Sequence, residues 1–137
     1  MEIGSDFNSI KLLKNDFSNI DKINFGKDIK FFMLGRTAIE YLIKEISLKS
    51  TLREKTIYMP NYCCLSMITP FEENGYKIIY YDVDLIRKSI NLDVNQSCDV
   101  FFAMNYFGYN ENSMDNYIKE FHKRNITVVE DITHRFL

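Results

Sequence analysis

Residues 55–84, KTIYMPNYCCLSMITPFEENGYKIIYYDVD, decide the fold. KTIYMP is a short apolar run stopped by Pro60, whose missing N–H cannot continue a ladder. NYCCLSMITPFEENG has the length and composition of a helix and closes on Asn74-Gly75, the residue types that favour a left-handed stop. Pro70 within it marks either a kink or a late helix start. YKIIYYDVD is a second strand-like run rich in Ile, Val and Tyr. A strand, a helix and a strand in this order imply a crossover that returns to pair in parallel.

The same alternation extends both ways. Upstream, KFFML (30–34) reads as a short buried strand, and GRTAIEYLIKEISLKS (35–50) follows as a helix. Its apolar residues Ala38, Ile39, Leu42, Ile43 and Ile46 have the spacing of one helix face. Downstream, IRKSINLD is a connection with a short extended piece, CDVFFAMNYFG a buried strand closed by Gly108, and SMDNYIKEFHKRN a helix. Ser113 is its expected N-cap and Asn125 its stop, and ITVVED is the last strand. The expected architecture is three-layer α/β/α, a mostly parallel sheet with helices on both faces. Residues 1–28 read as a peripheral helix and linker, and 29–137 as the domain proper.

With 137 residues, 46% of them apolar and 15% aromatic, the chain has ample material for a core. The net charge of -2 comes from interspersed acids and bases, which argues against an electrostatically driven nucleic-acid or membrane partner. Three cysteines, two adjacent, suit neither a disulfide framework nor a CxxC metal site, and no leader-like or membrane-length apolar stretch is present; a cytoplasmic protein is expected.

Three constellations could carry chemistry. In LGRTA, Gly35 either makes a plain strand-to-helix turn or lets the helix N-terminus face an anion, with Arg36 and Thr37 adding a cation and a hydroxyl. In VVEDITH, a strand delivers Glu130 and Asp131 to its carboxyl end, where open α/β sheets bind ligands, and His134 follows. The alternative there is a carboxylate capping the next segment beside a solvated histidine. Metal binding would need more ligands than His122 can add, so none is expected. Cys63 and Cys64 have no local base and read as small apolar residues in a helix.

Together, GRTA before a helix, IYMPNYCCLSMITPFEENGYKIIYYDVD, MNYFGYN and ITVVEDITH resemble the N-terminal part of the large domain of DegT/StrS-type sugar aminotransferases. These are pyridoxal-phosphate (PLP) enzymes of the aspartate-aminotransferase fold. The resemblance runs from about Phe31 onward. It implies that Gly35, Arg36 and Thr37 cradle the cofactor phosphate, that Asp131 pairs with the pyridinium nitrogen, and that His134 approaches the ring. Many members carry Gly-Thr-x-Ala at the turn, so Arg36 departs from the commoner pattern. The aromatic that stacks on the ring corresponds to Cys64, with Tyr62 the alternative.

The resemblance also implies a nucleotide-linked keto-sugar and an amino donor as substrates, and a homo-oligomer. The family's Schiff-base lysine lies well beyond the aspartate, whereas six residues follow Asp131 here. The expectation is therefore an incomplete large domain with no catalytic residue of its own, inactive alone, or a non-catalytic subunit that works only with a partner. A receiver-like module fits poorly, because its first strand should end in acids and not in Gly-Arg.

Overall fold

The computed structural model describes residues 30–49, 54–106 and 114–133. The expected helix within 1–28, Gly108, Ser113 and His134 lie outside the described residues. Every element of the described secondary structure belongs to one unit, Phe32–Leu137.

The elements are α1 (Gly35–Lys49), β1 (Thr56–Pro60), α2 (Leu65–Glu73), β2 (Lys77–Asp84), β3 (Ser89–Asn91), β4 (Val100–Met104), α3 (Asp115–Lys123) and β5 (Thr127–Asp131). The strands form one five-stranded sheet of order β3-β2-β1-β4-β5, parallel except for the β2–β3 hairpin. All five residues of β1 and of β4 are buried. Central strands of a parallel sheet are covered on both faces, which is why both read as continuous apolar runs.

Successive side chains of a strand point to opposite faces, and β4 shows where the layers lie. Phe101 stacks on Phe121 of α3 with ring centroids 4.1 Å apart, while Phe102 meets Phe71 of α2 edge-on at 6.2 Å. Hence α2 and α3 cover opposite faces, as two right-handed crossovers running outward from the sheet centre require. Helix α1 packs on α2 and buries Ile39, Ile43 and Ile46. The three-layer α/β/α expectation holds.

Both crossover helices stop by the same device. Gly75 and Asn125 adopt left-handed φ values of 78° and 58°. The next residue donates back to the start of the helix's last turn, Tyr76 N–H to Phe71 C=O and Ile126 N–H to Phe121 C=O, at 3.0 and 3.1 Å. These are Schellman closures, and the Phe71 and Tyr76 rings, 5.4 Å apart, supply the apolar contact that accompanies such a stop. Pro70 neither delays nor ends α2, which runs through it.

Two expectations fail. KFFML forms no strand: residues 30–34 are irregular, with Met33 fully exposed and Leu34 64% exposed. The run pairs with neither edge strand of the sheet, β3 or β5, and an apolar run without a partner strand cannot satisfy its backbone in a sheet. Cys63 and Cys64 are not helical core residues either, since α2 begins at Leu65 with an exposed Cys64 at its N-cap and Cys63 half-buried before it.

Candidate functional site

In β4 and β5 the pairs Phe102↔Val129 and Met104↔Asp131 stand side by side. They share the α2 face, so Asp131, the last residue of β5, points to the side on which α1 and α2 lie. A cleft of about 990 Å³ opens there, lined by residues from α1, from the β1–α2 connection and from the carboxyl ends of β4 and β5. It sits beyond the carboxyl edge of a parallel sheet, where such folds hold their ligands.

Gly35 and Arg36 line this cleft, and so does Asp131. Residues from opposite ends of the described chain are thus brought to one site. Thr37 lies on the same first turn of α1 but is exposed and does not line the cleft, and His134 is outside the described residues. Tyr62, Cys64 and Met104 line it as well.

The first helical bond of α1 is Ala38 N–H to Leu34 C=O, at 3.2 Å. The amides of Gly35, Arg36 and Thr37 precede it and have no acceptor within the helix, leaving a partial positive charge at that end. Gly35 is not in a left-handed conformation, and a Cβ added there would meet no atom within 4 Å. Among the described residues, neither backbone strain nor packing demands a glycine here.

Arg36 is bound to two carboxylates. Its Nε donates to Glu40 Oε1 at 3.1 Å, and its Nη2 donates to Glu73 Oε2 at 3.1 Å. The hydrogen bond to Glu40 and the charge of Glu73 hold the guanidinium above its ordinary pKa.

At the other end, Asp131 Oδ1 accepts from Thr133 N–H at 2.9 Å and from Thr133 Oγ1 at 2.7 Å. This turn fixes one carboxylate oxygen. Among the described residues, Oδ2 has no hydrogen-bond partner. The neighbouring carboxylate, Glu130, accepts from Asn105 Nδ2 at 2.7 Å and is tied into the structure.

Tyr106 donates its hydroxyl to the Tyr62 carbonyl, and the two rings lie 6.1 Å apart. Burial, with Cys63 and Asp131 nearby, pushes the Tyr106 phenol up, so it stays protonated. Tyr81, on β2, reaches across β1 with its hydroxyl, donating to Phe102 C=O at 3.0 Å and accepting from Met104 N–H at 3.3 Å. These two phenols brace the strand ends that carry the cleft. Cys64 Sγ lies 2.9 Å from Ser66 Oγ, and burial pushes the Cys63 thiol up to about 11. Among the described residues neither cysteine is hydrogen-bonded to a base.

Among the described residues no lysine lines the cleft, no three His, Cys, Asp or Glu residues are grouped to hold a metal, and no helix is long and apolar enough to cross a membrane.

The sheet order, the crossovers and the cleft at the carboxyl edge define an open, mostly parallel α/β fold with a ligand-type cleft. Among solved structures the chain is similar to a PLP-bound candidate aminotransferase from Clostridium difficile 630, crystallised with magnesium formate, at 17% identity and a TM-score of 0.52. The match covers 72% of this chain and 28% of that one, so the chain spans little more than a quarter of that structure's length. At this identity the likeness is one of fold. No protein-family model matches the chain, and no curated protein matches it.

Proposed function

We propose that residues 29–137 are the N-terminal part of the large domain of a PLP-dependent aminotransferase of the DegT/StrS type, acting in the cytoplasm on a nucleotide-linked keto-sugar. One observation carries this reading: Gly35 and Arg36 at the N-terminus of α1 and Asp131 at the end of β5 line one cleft. A ligand with a phosphate at one end and a basic ring nitrogen at the other finds a complementary group at each.

The residues fit such a ligand. The amides at the start of α1 would take the phosphate, and the space over Gly35, where an added Cβ would meet nothing within 4 Å among the described residues, admits an anion close to the backbone. Asp131, with Oδ1 fixed by Thr133 and Oδ2 available, would hold the proton on the ring nitrogen, because an adjacent carboxylate favours the charged form of a base. When bound, the cofactor supplies an electron-withdrawing ring through which an amino group is exchanged for a carbonyl. Met104 and Tyr62 would exclude water from the ring faces, and His134 would complete the ring's surroundings.

A second reading has a specific observation in its favour. Among the described residues no lysine lines the cleft, and a subunit that binds cofactor but works only within a homo-oligomer or with a partner is consistent with that.

The test is a titration with PLP followed by tyrosine fluorescence and by cofactor absorbance. Saturable binding is expected, and Asp131→Asn should weaken it about 10- to 100-fold, the worth of a hydrogen bond to a charged group. An absorbance band stable to dialysis and lost on borohydride treatment would overturn the claim that the chain supplies no amine. Absence of saturable binding would overturn the site.

A further inference from the structure

Arg36 is the second residue of α1, and Glu73 is the last residue of α2. Each charge stands at the end of its helix where the macrodipole disfavours it, a cation at an N-terminus and an acid at a C-terminus. The macrodipole therefore favours neither residue, although Glu40 steadies Arg36 as an i, i+4 partner within α1. Their mutual bridge offsets the cost only in part, because it lies in solvent, with the side chains 43% and 56% exposed. What an arginine adds at the positive end of a helix facing a cleft is attraction for an anion.

We propose that Arg36 is an anion ligand of the cleft whose resting counter-ion is Glu73, and that a phosphate monoester entering at α1 displaces the Glu73 carboxylate from the guanidinium. The inference rests on the reading of α1 as the phosphate end of the site and adds Glu73 as a positioning residue that sets ligand affinity. Three observations support the exchange. Arg36 lines the cleft and Glu73 does not, so Arg36 is the member of the pair that a ligand in the cleft meets. Glu40 holds Nε, which keeps the side chain in place when Glu73 lets go. Nη1 has no hydrogen-bond partner among the described residues, so a phosphate can engage it before Nη2 is released. A phosphate dianion binds a guanidinium fork in two-point geometry, which gives it the advantage over a single exposed carboxylate.

The experiment is calorimetric titration of the full chain with inorganic phosphate and, separately, with PLP, for the wild type, Glu73→Gln, Arg36→Gln and the double variant. Glu73→Gln should tighten both ligands by about two- to fivefold, the range to which an exposed ion pair corresponds. Arg36→Gln should weaken both, and in that background Glu73→Gln should have no further effect. Glu73→Asp, too short to keep the bridge, should act in the same direction as Glu73→Gln. Unchanged or weaker binding in both Glu73 variants, or a gain that persists without Arg36, overturns the exchange and leaves the cofactor reading standing. A wild-type chain that binds neither ligand overturns both.

Discussion

Asn105 Nδ2 donates to Glu130 Oε1 at 2.7 Å, while Asn105 Oδ1 accepts the backbone N–H of Met114 at 3.3 Å. One buried side chain thus ties the residue before Asp131 to the start of α3. The backbone adds to the clamp, since Asn105 N–H donates to Asp131 C=O at 3.1 Å. The position of Asp131 depends on this junction as much as on its own turn.

Asn105→Ala should therefore cost both stability and site geometry. It orphans the N–H of Met114, whose residue is fully buried, and an unsatisfied buried donor costs about 1–3 kcal/mol. Urea denaturation should show a loss of that size. PLP binding measured well below the denaturation midpoint should weaken as well, whereas a purely structural role for the clamp would leave the affinity of the folded fraction unchanged.

Gly35 separates stability from binding in the opposite sense. Since an added Cβ meets nothing within 4 Å, Gly35→Ala should leave thermal stability unchanged or raise it by up to about 1 kcal/mol through reduced chain entropy. Phosphate and PLP affinity should fall about tenfold, because the methyl group occupies the space above the α1 amides, and tenfold corresponds to about 1.4 kcal/mol. Equal affinity in the two proteins would show that the ligand does not approach there.

Alkaline pH should weaken the fold. Burial pushes the thiols of Cys63 and Cys98 from an ordinary 9.0 up to about 11. Between these values the unfolded chain has released its thiol protons and the folded chain has kept them, so stability is unaffected below pH 9 and falls as the pH rises toward 11. Melting temperatures across that window should drop, and a Cys63→Ala, Cys98→Ala protein should show a shallower decline. At about pH 8, just under the ordinary thiol pKa, iodoacetamide should label the exposed Cys64 before either of the others.

Much of this architecture is written in local patterns. The unbroken apolar runs of β1 and β4, the i, i+3, i+4 stripe of α1 and the left-handed stops at Gly75 and Asn125 each reflect a nearby physical demand. KFFML misleads because apolarity says that a segment resists water and not that a partner strand exists for it. Cys64 reads as helical interior because the register of a helix start depends on a cap, and no side-chain cap forms there. The site is less legible. Pattern alone leaves the Gly35 turn and the Asp131 carboxylate open to plain structural readings, and it is the family resemblance that puts them in one place. The bridge between Arg36 and Glu73, far apart in the chain, has no signature in the sequence, nor has the role of Asn105 beyond its place in MNYFG.

The opposed rings of β4 have a consequence for how this sequence can vary. Phe101 serves α3 and Phe102 serves α2, so replacing either ring with another apolar group alters one interface. Removing a single residue from the strand would exchange the two, sending every side chain beyond the deletion to the wrong layer and turning Met104 away from the cleft. Length in this strand is therefore constrained more tightly than composition, and natural variation in β4 should take the form of substitutions without insertions or deletions.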